Sequence, residues 1–148
     1  MSEMNPAAQP AASLRVLLLD DDPFMLEMLH AMFDELGCFE VTRASHARRA
    51  LRLLPADPPD LLVCDLSLPD MDGIEFMQAA ARGGFPGAVL LLSGLDRGVR
   101  FAAERLASAH GLRVLGSYGK PLAFDTLRTA VAPLIAARAA APGSQPGQ

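Results

Sequence analysis

Leu61 to Gly73, LLVCDLSLPDMDG, is the stretch whose reading decides the fold. Leu61, Leu62, Val63 and Cys64 are continuously apolar, the pattern of a strand covered on both faces, and Pro69, Asp70 and Gly73 are turn and boundary residues. The run delivers one carboxylate, Asp65, to the carboxyl end of a central parallel strand, where open α/β sheets hold their ligands. An isolated Asp there could equally cap a turn. What decides between the two is whatever else the chain brings to that edge.

Upstream, Leu14 to Leu19 form a second apolar run that ends in Asp20, Asp21 and Asp22 and then Pro23. Asp22 and Pro23 read as N-cap and first helical residue, with Leu26, Leu29, Phe33 and Leu36 at helical spacing until Gly37. Phe39 to Thr42 make a short strand. Ser45 is placed to cap a helix carrying Ala47, Ala50, Leu51 and Leu54, with Arg48, Arg49 and Arg52 on its wet face, before Pro55 to Pro59 break the chain. Downstream, Ile74, Met77, Ala80 and Ala81 predict a third helix, and Ala88 to Leu92 a strand leading into Ser93 and Gly94. Asp96 can cap a helix with Val99, Ala103, Leu106 and Ala107 toward the core. Arg113 to Tyr118 form a fifth strand, followed by Lys120 and Pro121. A last helix runs from about Ala123, with Leu127, Val131 and Leu134 on one stripe and Pro133 expected to kink or shorten it. Five strands alternating with five helices imply an α/β fold, a parallel sheet covered on both faces through right-handed crossovers. The pattern alone leaves the strand order open.

At 148 residues the chain is long enough for one full-cored domain and short for two. We read residues 1–13 as a disordered arm, 14–138 as the domain and 139–148 as a disordered tail. No uninterrupted apolar run approaches the roughly 20 residues of a membrane span, and the Ala- and Pro-rich start lacks the features of a secretory signal. The expected location is cytoplasmic, with no membrane partner. A net charge of −4 and a single lysine provide no basic footprint for nucleic acid. Cys38 and Cys64 lack metal-ligand spacing and are expected to be reduced.

Four of the five strands end in reactive side chains: Asp20 and Asp21, Asp65, Ser93, and Lys120. In a parallel sheet these ends share one edge. Carboxylates about 4 Å apart repel by roughly 4 kcal/mol at an effective dielectric of 20, so such a cluster requires a cation. A few hard oxygen ligands with room for water and phosphate favour Mg²⁺. With a lysine and a hydroxyl alongside, the set suits phosphoryl transfer onto a carboxylate.

These four motifs, in order and spacing from about Leu14 to Ile135, resemble the receiver domain of two-component response regulators. The resemblance implies a flavodoxin-like, three-layer, doubly wound five-stranded sheet of order 2-1-3-4-5. It implies that Asp65 is the phosphoacceptor for a histidine kinase or histidine phosphotransfer protein. Mg²⁺ would be held by Asp20, Asp21, Asp65 and the Ser67 carbonyl, while Ser93 and Lys120 would contact phosphoryl oxygens. It further implies a cis Lys120–Pro121 bond, a small Gly94 beside the phosphate, a downstream protein target and a possible homodimer through helix 4, strand 5 and helix 5. Arg97, Arg100, Glu104 and Arg105 are candidates for that switching surface. The sequence departs from the family at Ser117, three residues before the lysine, where receivers commonly carry Tyr or Phe. Tyr118 follows one residue later and should point to the opposite face. This version is more similar to receivers found beside cyclic-di-GMP signalling domains. With only about a dozen residues after the last helix, a single-domain receiver without an output domain is expected. Two other readings stand beside this one: a phosphorylation-independent adaptor of the same fold, and a haloacid-dehalogenase-like phosphatase using Asp20 and Asp22. The phosphatase lacks its later acidic motif and leaves Asp65 unexplained. A dinucleotide-binding domain lacks its glycine-rich turn.

Overall fold

The computed structural model describes residues 13–94 and 96–140. In chain order the elements are β1 (Leu14–Leu19), α1 (Pro23–Leu36), β2 (Phe39–Ala44), α2 (Ala47–Ala56) and β3 (Leu61–Asp65). They continue with α3 (Gly73–Arg82), β4 (Ala88–Ser93), α4 (Arg97–Ala109), β5 (Arg113–Gly119) and α5 (Phe124–Ala140). The arm expected at 1–13 lies outside the described residues except for Ser13. The tail expected at 139–148 does so except for Ala139 and Ala140, which are the end of α5.

All strands are parallel, in the order β2-β1-β3-β4-β5. β3 and β4 are buried throughout because alternate side chains meet helices on both faces. Leu62, Cys64, Val89 and Leu91 pack with α2, α3 and α4 around Phe76, Met77 and Ala103. Leu61, Val63, Leu90 and Leu92 pack with α1 and α5 around Leu29, Phe33, Leu127 and Val131. Phe33 meets Phe39 edge-on at 4.8 Å between ring centroids.

The α1 boundaries follow the sequence signals: Asp22 accepts a hydrogen bond from the Phe24 amide at 3.0 Å, Pro23 opens the helix and Gly37 closes it. α2 is different. Ser45 does not cap it; His46 holds the cap position without a side-chain bond. The Ala47 and Arg48 amides instead donate to Asp70, at 3.1 and 3.2 Å, from the loop after β3. Desolvation is the largest single effect on the Asp70 carboxyl and pushes it up, but the amide bonds together outweigh it and hold the group below its ordinary range. Val99, expected in the core, is 45% exposed, because Ala103 and Ala107 alone form the buried seam of α4. Phe76 rather than Ile74 dominates the α3 contact. Pro133 lies inside α5 without ending it.

Two glycines set local geometry. A Cβ on Gly73 would lie 2.7 Å from the Leu66 carbonyl oxygen, so only glycine lets α3 begin against the end of β3. In β5 the register passes from Val89↔Val114 to Leu90↔Gly116, leaving Leu115 as the extra residue of a bulge, with Gly116 at φ +149°. The bulge puts Ser117 opposite Leu91, on the α4 side, and Tyr118 opposite Leu92, in the α1/α5 layer. The expected opposition of these two side chains is therefore observed.

Candidate functional site

The strand order reverses between β1 and β3, which opens a crevice at their carboxyl ends. Register then dictates what faces it. Leu19 pairs with Cys64, Asp65 with Leu92 and Ser93 with Gly119, so Asp20, Asp65, Ser93 and Lys120 follow one another along a single edge. Asp20, Asp65 and Ser93 are almost wholly buried, at 0%, 1% and 0% exposure. Asp21 is exposed, yet one oxygen from each of Asp20, Asp21 and Asp65 lies within 4.8 Å of the other two.

Lys120 bridges the buried acids, its Nζ 2.9 Å from Asp20 Oδ2 and 3.2 Å from Asp65 Oδ2. The remaining oxygens are occupied by backbone. The Asp22 amide donates to Asp20 Oδ1 at 2.9 Å, and the Ser67 amide to Asp65 Oδ1 at 3.0 Å. The Lys120 amide donates to the Ser93 carbonyl at 3.0 Å, and the Lys120–Pro121 bond is cis. No Cβ contact would arise at Gly94, which leaves that side open.

The charges respond to this packing. Burial pushes the Asp20 carboxyl above its ordinary value, with the Asp65 charge adding to it, while the Asp22 amide and Lys120 oppose the rise. Burial by itself would lower Lys120, but Asp20 and Asp65 outweigh it and hold the ammonium above the ordinary lysine value. Cys64 is kept a thiol by burial and by the neighbouring Asp65 and Asp20 charges. Asp20 Oδ2 is buried with a charge beside it and no well-aligned hydrogen donated to it. A short but misaligned ion pair on an otherwise bare oxygen, with two further carboxylates in reach, is a donor set that fits a hard divalent cation.

The structure thus brings together Asp20, Asp21, Asp65 and Lys120, with Ser93 and Ser67 on the same edge. Two of the residues expected on the switching surface stand nearby: Arg100 and Glu104 of α4 are half-buried and bonded to Ser117 of β5. Their spacing of four marks one helix face, but nothing in the sequence couples that face to Ser117. Arg97 and Arg105, by contrast, are exposed.

A doubly wound parallel sheet with an acid trio and one lysine at its switch point defines an aspartate-centred α/β domain. Comparison with known sequences is specific: the model of the response regulator receiver domain family matches residues 16–132, and the chain belongs to that family. Among curated relatives, the cyclic di-GMP phosphodiesterase RocR of Pseudomonas aeruginosa is 29% identical over 115 residues, covering 77% of this chain and 29% of RocR. A protein-glutamate methylesterase/protein-glutamine glutaminase of Myxococcus xanthus is 33% identical over 147 residues, covering 90% of this chain and 41% of that protein. The chain thus spans less than half of either relative. Among solved structures, the Francisella response regulator 1452 receiver domain superposes with a TM-score of 0.71 at 26% identity, over 84% of this chain and 98% of that one. A CheY-like receiver from Methanospirillum hungatei gives 0.72 at 20% identity over 86% and 97%, a likeness of fold. Among the described residues no helix is long and apolar enough to cross a membrane.

Proposed function

We propose that Asp65 accepts a phosphoryl group from a histidine kinase or histidine phosphotransfer protein, and that the acyl phosphate switches a surface read by a downstream protein. The observation that carries the reading is the Asp65 carboxylate, buried between the Ser67 amide and the Lys120 ammonium and within reach of two further acids. In the transfer, one Asp65 oxygen forms a bond to phosphorus as the phosphorus–nitrogen bond to the donor histidine breaks, and that nitrogen keeps the bonding electrons. Lys120, charged at neutral pH, and the Ser93 hydroxyl donate to the phosphoryl oxygens. Asp20, Asp21, Asp65 and the Ser67 carbonyl would hold Mg²⁺. When bound, that ion supplies the positive charge that offsets the acids and the incoming phosphate.

Phosphorylation adds about −1.5 to −2 charge beside Ser93 and Lys120, which biases the protein between two surface states. The output on this reading is a population shift, passed to a partner or to a second copy through α4, β5 and α5, and the chain is no enzyme beyond slow loss of its own phosphate. The cytoplasm, where such kinases deliver phosphate, is the proposed location. The test is intact-mass analysis after incubation with Mg²⁺ and acetyl phosphate. Wild type gains one phosphate and Asp65→Asn none. An adaptor would gain none in either, and a phosphatase of the alternative kind would lose its phosphate-handling with Asp20→Asn while keeping it with Asp65→Asn.

A further inference from the structure

Ser117 is bonded to α4 twice. Its buried hydroxyl donates to Glu104 Oε1 at 2.9 Å, and its carbonyl accepts from Arg100 Nη1 at 3.3 Å, one helical turn away. The Arg100 guanidinium also lies over the end of β5, its Cζ 3.8 Å from where a Cβ on Gly119 would sit, with the Ser93 carbonyl oxygen 3.9 Å from the same point. Gly119 pairs with Ser93 and immediately precedes Lys120. α4 is therefore tied to the strand end that carries the proposed phosphate contacts.

The tie is poised. Arg100 Nε is buried with no acceptor, and the Nη1 bond is long, so a charged group sits in a position that satisfies it incompletely. The bulge at Leu115 has turned Tyr118 into the other layer, so the α4-facing position three residues before the lysine holds only the small Ser117. Contact between this part of β5 and α4 runs through polar groups whose partners can change. A phosphoryl group on Asp65, one strand away from Ser93, adds oxygens and negative charge that compete for Ser93, Lys120 and the neighbouring guanidinium.

We propose that the Arg100–Ser117–Glu104 bridge is the positioning element that relays phosphorylation of Asp65 to α4, closed in the unphosphorylated protein and opened as the strand end adjusts to the phosphate. Resting on the phosphoacceptor reading above, it names the residues through which that site is regulated. α4 carries the exposed Val99 and Phe101, so a change in its seating changes the apolar surface a partner meets.

Hydrogen exchange of the α4 amides in the full chain, with and without Mg²⁺ and acetyl phosphate, tests this, with phosphate gain followed by intact mass in the same samples. In wild type, phosphorylation speeds α4 exchange by about tenfold, the ratio for loss of a hydrogen bond worth about 1.4 kcal/mol. In Ser117→Ala and Glu104→Ala, α4 exchanges fast already and phosphate changes it by less than about twofold, although the phosphate gained is unchanged. Glu104→Gln, which retains an acceptor for the Ser117 hydroxyl, keeps the response and covers the case in which Ser117→Ala fails to fold. A static staple would raise exchange equally in both states and leave the phosphate-dependent ratio intact, which overturns the proposal. So does a wild type that gains phosphate with α4 unchanged. A wild type that gains no phosphate overturns the phosphoacceptor reading itself, and this inference with it.

Discussion

Replacing Lys120 by methionine keeps the length of the side chain and removes its charge from between two buried acids. At 2.9 and 3.2 Å, the contacts to Asp20 and Asp65 correspond to about 5 to 6 kcal/mol each of Coulomb attraction at an effective dielectric of 20. Much of that offsets the desolvation of the three groups. Without the ammonium, carboxylates within 4.8 Å of each other repel by about 3.5 kcal/mol at the same dielectric. Breaking a buried pair in this way destabilises proteins by about 3 to 5 kcal/mol, and the 22% exposure of the lysine side chain places the expectation at the lower end, about 3 kcal/mol. Lys120 titrates above the ordinary lysine value of 10.5, so its contribution is complete below that pH and is lost only as pH rises through the folded value. Between about pH 5 and pH 8 the lysine itself is constant, and the pH dependence of the variant comes from the acids. Relieved of the cation, Asp20, already held above its ordinary value by burial, binds its proton more tightly still in the folded state, so the penalty shrinks on acidification. Mg²⁺ should reduce it at neutral pH. Urea unfolding of both proteins at about pH 7.5 in chelator, at the same pH with Mg²⁺, and at about pH 5 measures all three effects. A loss below about 1 kcal/mol, or one indifferent to pH and Mg²⁺, would refute the reasoning.

Asp20→Asn keeps the acceptor for the Asp22 amide and removes a charge that burial disfavours. Because the folded Asp20 titrates above the ordinary aspartate value of 3.8, stability is full below that pH and declines as pH rises through the folded value. The variant should melt higher than wild type at neutral pH in chelator while binding Mg²⁺ more weakly, as calorimetric titration would show. Ser93→Ala should keep the fold and slow phosphorylation by acetyl phosphate about 100-fold, the scale for losing one oxyanion donor; an unchanged rate would remove Ser93 from the transfer. Phe33→Ala, at a wholly buried position against Phe39, should cost about 3 to 5 kcal/mol in urea unfolding and leave Mg²⁺ affinity unaltered. Asp70→Ala removes the cap of α2, so Tm should fall at neutral pH. Since Asp70 titrates below its ordinary value, that contribution disappears as pH falls through the folded value, and the two proteins should converge in acid.

The elements were legible in the sequence wherever a signal was local. The Asp22–Pro23 start and Gly37 end of α1, and the Asp96 cap of α4, which accepts from the Val99 amide at 3.0 Å, were readable because cap and helix are neighbours in the chain. The cap of α2 was not, because it arrives from Asp70, more than twenty positions away. Val99 was misplaced because a helical apolar period admits two seams, and only packing showed that α4 uses its alanines. Asp20, Asp65, Ser93 and Lys120 could be gathered before any coordinates because strand ends in a parallel sheet share an edge, an inference about topology and not about any one residue. The partners of Ser117 could not. They depend on a one-residue bulge that no composition signal announces, and on how far two α4 side chains reach.

The most direct measurement is to locate the phosphate. The full chain, treated with Mg²⁺ and acetyl phosphate and then with borohydride, which reduces an acyl phosphate to homoserine, is digested and sequenced by mass spectrometry. The expected result is conversion at position 65 alone, abolished by chelator. Conversion at Asp20 or Asp21, or none at Asp65 while the protein remains folded, would contradict the central claim.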